Sequence, residues 1–545
     1  MSAQQGLNLL VFRPGHRQVF ASGLKSELLK SLRPLASVSS REAVTSALLR
    51  SGELECSLAD AGWAALTPFA NLTDCLADTL VQGSAPHFFS HLVDSVAGAA
   101  VPEQVSLTTP EGFAYYALHP LAYADVLDKL PALPPSVLVV GIRSIGSTLS
   151  AVTAATVRLR GRAVRRITVR PDGHPYNRQT EFPLAEHALI RDAVSSSAAF
   201  LVVDEGPGLS GSSFLSVAEA LEKAGAPPEK IILLCGHEPN LQALCSTDAA
   251  RRWARFRHMA VGGAIRRSAA AEQFVGAGQW RNLLFQNEPS WSESWTRMER
   301  LKYLSAGTDR KLFKFAGLGH YGEAVFDRER AIAAAGFGPE PQRESDGFVS
   351  YPWIEGHPMS SQDLSAHVLA RLAEYCAFRS QAFPSTDAAP GALQEMAGHN
   401  LCELKFNLTV DLKIERTVIT DGRMHPHEWL LTSEGRILKT DCGSHGDDHF
   451  FPGPTDIAWD LAGAIVEWHM NELQAKTFLD MYCRASGDDA ANRIADFIHA
   501  YAVFRCAYCK MAANAMQGSP EQIRMEQAAT TYAALLPQYR AASGL

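Results

Sequence analysis

Four things are missing from this sequence, and each narrows what the protein does. There is no basic excess: 50 Lys and Arg face 58 Asp and Glu, for a net charge of −8. That argues against bulk nucleic-acid or anionic-membrane binding as the main activity, though not against a local phosphate pocket. No run reaches the roughly 18 apolar residues that a membrane span needs. The opening MSAQQGLNLLVFRPGHRQVF lacks the basic start and long apolar stretch of a secretory signal. The ten cysteines follow no regular framework, which suits free thiols in a reducing compartment better than a disulfide scaffold. A cytoplasmic protein without a membrane partner is expected. Internal repeats and low-complexity tracts are also absent.

What is present is an ordinary globular composition, 46% hydrophobic and 20% charged, spread over 545 residues. That length exceeds one compact core, so two or more domains are expected. EGFAYYALHPLAYADVLDKL, residues 111–130, has apolar residues at helical spacing and reads as a helix stopped by PALPP. From residue 137 onward apolar strands, small-residue loops and helices alternate, the pattern of an open parallel α/β sheet with its site at the carboxyl ends of the strands. Around 240–300 this gives way to Trp- and Arg-bearing segments. Beyond them ERLKYLSAGTDRKLFKFAGLG reads as two β-runs joined by a Gly turn, and helices dominate from 361. The expected division is 1–285, a junction at 286–297, and 298–545.

LVVDEGPGLSGSSF, residues 201–214, ends a buried strand on Asp204 and Glu205, then runs through Gly, Pro and Ser into a helix. Carboxylates at such a position need solvent or a partner, and a vicinal diol offers two hydroxyl donors. The loop from Gly206 to Ser213 lets backbone N–H groups converge in front of a helix N-terminus, and Ser210, Ser212 and Ser213 add hydroxyls. Acids for a diol beside a cradle for a phosphate describe a ribose 5-phosphate site. Earlier, Gly141-Ile-Arg-Ser-Ile-Gly146-Ser-Thr148 joins another apolar strand to a helix, with Arg143 as a fixed cation and Ser144 and Gly146 in a turn suited to pyrophosphate. Between the two loops, TVRPDGHPYNRQTEF is a polar, Gly/Pro-broken stretch able to close over a substrate. Arg170 and Arg178 there would meet the charge of a leaving pyrophosphate.

This order resembles a type I phosphoribosyltransferase over roughly residues 100–240. The resemblance implies that Asp204 and Glu205 hold the ribose hydroxyls of phosphoribosyl pyrophosphate. It implies too that Leu209, Ser210, Gly211, Ser212 and Ser213 hold its 5-phosphate. The family's Thr-Thr-Gly-Gly-Thr is replaced here by Gly-Leu-Ser-Gly-Ser.

A second constellation follows. KLFKFAGLG carries Lys314 in a β-run, GEAVFDRERAIAAAGF is an amphipathic helix with Glu323 and Glu329, and FVSYPWIEGHP is a strand ending in aromatic, acid and Gly. Later come DGRMHPHEWLLTSEGRILKTD and DIAWDLAGA. That order resembles the small-molecule kinase fold of aminoglycoside and choline phosphotransferases. The resemblance implies Lys314 as the phosphate-gripping lysine, Glu329 as its partner, Asp441 as a metal-binding acid, and Asp456 and Asp460 as structural acids. The family's His-Gly-Asp-x-His-Pro-x-Asn is here Asp421-Gly-Arg423-Met-His425-Pro-His427-Glu428. A cation at Arg423 cannot serve as general base. Glu428 could still hold Mg²⁺ with Asp441, since carboxylate oxygens suit that ion. His425, His427, His445 and His449, with Asp447 and Asp448, could bind a transition metal, or line a polar cleft and cap loop ends. Cys506 and Cys509 read as helix packing.

The fold class expected is therefore α/β, an open parallel-sheet phosphoribosyltransferase-like domain followed by an α+β kinase-like domain. The expected function is a phosphoribosyltransferase using phosphoribosyl pyrophosphate and Mg²⁺, its kinase-like half taking ATP and acting on a ribosylated metabolite. A non-catalytic phosphoribosyl or nucleotide sensor with a pseudokinase module is one alternative, and an unconventional small-molecule phosphotransferase another. A second copy of the chain is a candidate partner.

Overall fold

Apolar runs make the central strands of the N-terminal half's sheet, because both faces of each are covered. In the computed structural model, which describes residues 8–36, 40–84, 87, 89–130, 132–208, 210–262, 272–386 and 390–536, Ala199–Val203 and Ile231–Cys235 are buried at every position. They belong to a five-stranded parallel sheet ordered Ala163–Val169, Ser136–Ile142, Ala199–Val203, Ile231–Cys235 and Arg257–Ala260. The chain starts in the second of these positions, steps outward, then crosses back. The topological switch point therefore lies between Ser136–Ile142 and Ala199–Val203, where open sheets of this kind place their ligand crevice beyond the carboxyl ends.

Helices Leu184–Ser195 and Ser212–Lys223 cover one face of the sheet. Helix Ile145–Leu159 covers the other, and its outer side packs against an all-helical layer of Ala21–Leu32, Arg41–Asp60, Thr67–Gln82 and Phe89–Gly98. The core under helix Ile145–Leu159 also takes in Phe313, Phe315 and Phe348. These residues come from the C-terminal half, so the two halves share one apolar interior.

The C-terminal half opens with a five-stranded antiparallel sheet ordered Glu272–Phe274, Lys302–Ser305, Lys311–Phe315, Phe348–Pro352 and Gln342–Arg343. Helix His320–Ala334 lies between its strands in sequence. The chain then passes into a mainly helical lobe built on Ala366–Ala382, Ala458–Glu467, Glu472–Ser486 and Ile494–Ala515, where Cys506 and Cys509 are buried free thiols. The order of antiparallel sheet then helices is the α+β arrangement expected of this half.

Three details differ from expectation. Because Glu272–Phe274 pairs with Lys302–Ser305, we place the division of the chain upstream of Glu272 rather than at 286–297. Leu9 and Val11 are buried in the helical lobe's core, Leu10 N–H donates to Asn400 Oδ1 at 2.8 Å, and Phe451 N–H donates to the Val11 carbonyl at 3.1 Å. The first described segment thus belongs to the far lobe. Finally, 111–130 is not one helix but Glu111–Ala114 and Ala122–Val126 separated by irregular chain. Ala117 takes a left-handed φ of 52°, and Pro120 lacks the N–H a helix would use.

Arg379 binds the helical lobe's loops together. Its guanidinium, 1% exposed, donates to the carbonyls of Ile419 at 2.8 Å and Cys442 at 3.0 Å, and lies 3.6 Å from Asp460 and 3.9 Å from Asp421. Replacing Arg379 by Met leaves two buried acids without that cation, at a cost of about 3–5 kcal/mol. The expected result is a fall of about 3–4 °C in the melting temperature of the full chain. An unchanged transition in a calorimetric scan would contradict this role.

Candidate functional site

At the switch point, close approach of backbone decides the geometry. A Cβ on Gly146 would stand 2.8 Å from the Val203 carbonyl, and one on Gly141 would strike the Gly146 carbonyl. Only glycines let these loops meet. Ser144, between them, has a φ of 113° and ψ of −115°, a strained conformation of the sort held at binding loops. Asp204 and Glu205 follow strand Ala199–Val203. The Glu205 carboxylate accepts from Gly112 N–H at 2.6 Å, and Asp204 Oδ1 accepts from Glu205 N–H at 2.9 Å. Tyr123 donates its phenol proton to the Asp204 carbonyl at 2.6 Å.

Burial raises both acids. Asp204 rises from 3.8 to about 7 despite its backbone donor and Arg170. Glu205 rises from 4.5 to about 8, with Asp204 and Glu111 adding repulsion. Further along the loop, Gly211 in the left-handed region starts helix Ser212–Lys223, and Ser210 and Ser212 share a hydroxyl contact of 2.9 Å. The stretch expected to close over a substrate forms a hairpin, Asp172–His174 with Asn177–Gln179, whose Pro175 carbonyl accepts from Ser212 Oγ at 2.5 Å.

The cations expected here are already engaged. Arg143 donates to Asp60 at 3.1 Å, and Arg170 pairs with the same carboxylate while donating to the Arg143 carbonyl at 2.7 Å. Arg178 folds back onto the Gly173 carbonyl at 2.8 Å, on the hairpin rather than beside the acid pair. Leu209 lies outside the described residues. Asp60 and Gly112 escaped sequence reading because both come from helices far from the motif.

The C-terminal half carries a second cleft, between its antiparallel sheet and helical lobe. One end is an apolar slot lined by Val275, Leu312, Ile332, Tyr351 and Leu430, edged by the connecting backbone at Trp353 and Ile354. The other end is polar, and Lys302, Lys314, Glu428 and Asp441 line both. Lys302 and Lys314 are cross-strand partners. Like charges in that register repel unless something draws them together, and Asp441 does. It forms an ion pair with Lys314 and another, at 3.2 Å, with Lys302. Burial alone would raise Asp441, but the two lysines and His445 outweigh it and hold the acid well below its ordinary range.

Glu428 lies across the cleft, paired with Lys439 at 2.8 Å. Burial opposes its ionisation, and Lys439 and the neighbouring histidines overcome that. The backbone of its loop is fixed by Asp460, which accepts from Asp421 N–H at 2.8 Å and Gly422 N–H at 2.9 Å.

Glu428, Asp441 and His445 can each offer a ligand atom within 4.8 Å of the others. Two carboxylates fit Mg²⁺, while the imidazole is a softer donor than that ion prefers. The remaining members of the His cluster serve elsewhere. His425 pairs with Glu467 at 3.0 Å, His427 stacks between His425 and Trp280, and His449 stacks on Phe12. Glu329 is not the ion-pair partner of Lys314 as expected. Its carboxylate accepts from the Tyr351 phenol, and burial keeps its pKa raised even with Lys314 nearby. Lys302 and Lys439 were missed, although the two β-runs around a Gly turn already put Lys302 opposite Lys314.

No family model and no curated protein matches the chain. Among solved structures, it is similar to the choline kinase of Streptococcus pneumoniae (14% identity, 43% of this chain and 90% of that one, TM-score 0.27). It is similar also to a choline/ethanolamine kinase family protein of Mesorhizobium loti (17%, 43% and 84%, TM-score 0.31). A third is spectinomycin phosphotransferase solved with ADP and spectinomycin (12%, 48% and 92%, TM-score 0.32). None of the three is a phosphoribosyltransferase. Likeness at TM-scores near 0.3 carries no weight for function, which has to be argued from the residues above. No helix among the described residues is long and apolar enough to cross a membrane.

The acid pair makes stability depend on pH. Unfolded, both carboxyls titrate near 4; folded, they keep their protons to about 7 and about 8. Between those limits the folded state binds more protons, so stability falls as pH rises and the penalty is complete above about pH 8. The double variant Asp204→Asn, Glu205→Gln should flatten this slope in urea titrations between pH 5 and 8.5. A slope equal to that of the unaltered chain would refute the assignment.

Proposed function

We propose that the chain is a phosphotransferase-type enzyme whose C-terminal cleft takes ATP and Mg²⁺. The observation that carries this is the convergence of Lys314 and Lys302 on Asp441, with Glu428 opposite, at the inner end of an apolar slot. The slot suits a nucleotide base, and the lysines suit its phosphates. Glu428 and Asp441 would hold Mg²⁺, which when bound neutralises charge on the phosphate being transferred. The lysines keep Asp441 ionised and position phosphate oxygens, and Trp280 with Tyr351 shields the site from water. Arg423, lining the polar end, cannot take a proton from an acceptor hydroxyl.

Titration of the full chain with a fluorescent ATP analogue and Mg²⁺ tests the reading. Lys314→Ala should weaken binding at least tenfold, and Asp441→Asn should abolish the dependence on Mg²⁺. Absence of saturable binding to the unaltered chain would overturn it.

A second reading concerns the parallel-sheet crevice. It is favoured by a buried acid pair followed in sequence by a Ser-rich helix start, beside a strained, glycine-dependent loop. We propose that this crevice binds phosphoribosyl pyrophosphate, with Asp204 and Glu205 at the ribose, Ser210, Gly211, Ser212 and Ser213 at its phosphate, and Arg143, Ser144, Gly146 and Arg170 toward the pyrophosphate. Pyrophosphate release with Mg²⁺ and an acceptor panel should occur and be lost in Asp204→Asn. Binding without release would favour the sensor reading, and neither would dismiss the crevice as a site.

A further inference from the structure

The polar end of the C-terminal cleft is lined by five cations, Arg300, Lys302, Lys314, Arg423 and Arg505. Three of them are neutralised by acids. Lys302 and Lys314 pair with Asp441, and Arg505 pairs with Glu293 at 3.1 Å and lies 3.7 Å from Glu467. The other two are not. Among the described residues Arg300 donates only to the carbonyls of Ala114, at 3.1 Å, and Ala316, at 2.9 Å, beside the Tyr115 ring. Arg423 makes no side-chain hydrogen bond or ion pair with any described residue; Tyr508, Asp448 and Glu428 offset the cost of its burial through space and keep its pKa raised. One oxygen of Asp448 is instead occupied by Phe450 N–H at 2.8 Å. The N–H donors of Arg423 are therefore free to take an incoming anion, and its planar fork matches a carboxylate or phosphate.

Resting on the phosphotransferase reading of this cleft, we infer that the acceptor is an oxyanion, a phosphate or carboxylate group, held by Arg423 with Arg300 beside it. This resolves the missing general base. A hydroxyl acceptor must lose a proton as it attacks, but a phosphate or carboxylate is already ionised at neutral pH. The acceptor oxygen forms a bond to the γ-phosphorus of ATP, the bond from that phosphorus to the bridging oxygen breaks, and ADP leaves with the electron pair. No proton moves. The product is an acid anhydride, a diphosphate or an acyl phosphate. A guanidinium at position 423 serves that chemistry better than a carboxylate, which would repel the nucleophile.

The test uses the full chain saturated with a non-hydrolysable ATP analogue and Mg²⁺, titrated calorimetrically with inorganic phosphate, acetate and choline in separate arms. Phosphate or acetate should bind saturably, and the tighter of the two identifies the acceptor class. Arg423→Gln should weaken that binding at least tenfold, with Arg423→Lys in between. Nucleotide affinity measured in parallel reports whether each variant is folded. Saturable choline binding without oxyanion binding would overturn the inference, as would equal oxyanion affinity in Arg423→Gln. If the unaltered chain fails to bind the ATP analogue, the nucleotide reading itself falls. If it binds the analogue but neither oxyanion, only the acceptor inference does.

Discussion

Everything the C-terminal cleft can do depends on a guanidinium that never reaches it. Arg379 sits in the dry interior of the helical lobe, tying the carbonyls of Ile419 and Cys442 together while facing Asp421 and Asp460. The first carbonyl precedes the loop that ends on Glu428, and the second immediately follows Asp441. A charged pair or triad in such surroundings gains little net stability over an apolar replacement. Its use is registration. Two loops distant in sequence are held so that their carboxylates share one small volume, and Asp460 adds two hydrogen bonds to the backbone of the first loop. Burial would raise Asp421, but Lys439, His445 and Arg379 keep it ionised at about 2. Asp460, with fewer cations, is raised to about 6 by burial.

The two candidate sites share a wall. Gly112 gives its N–H to Glu205 in the parallel-sheet crevice, and Phe113 accepts at 2.9 Å from Leu318 N–H in the turn after strand Lys311–Phe315. Tyr115 lines the polar end of the C-terminal cleft and donates its phenol proton to the Asp447 carbonyl at 2.8 Å. The four residues from Gly112 to Tyr115 thus reach from one site to the other. A Cβ on Gly112 would collide with the Glu205 carboxylate, so the wall is thin there by construction, and the common apolar interior beneath it gives the halves little room to move independently.

How much of this was legible in the sequence follows from the range over which each feature is specified. The parallel strands were readable because strands covered on both faces are written as unbroken apolar runs. Asp204, Glu205, Lys314 and Asp441 were readable because each sits at the end of, or within, a short run whose pattern marks it. Arg423 stood out for the opposite reason, a cation where its motif calls for an acid. Lys439, Asp60, Arg379 and Gly112 carried no such mark. Their roles arise only when elements far apart in sequence pack together, and a lone Lys or Gly in a helix or strand looks the same whatever it will meet. Glu329 shows the converse error. It lies on the helix expected to supply a partner for Lys314, yet Tyr351 from the adjacent strand reaches its carboxylate, and Asp441 takes the lysine.

The first described segment has a consequence for how the chain acquires its shape. Leu9 and Val11 are finished surfaces only against residues such as Asn400 and Phe451, nearly the whole chain away. Closing the helical lobe's core therefore waits for contacts between residues 390 apart in sequence. Until they form, the apolar side chains on both partners stay open to other contacts. Completion of the C-terminal cleft is a highly non-local event, reached by joining a segment that precedes the parallel sheet to a lobe that follows it rather than by adding one finished domain to another.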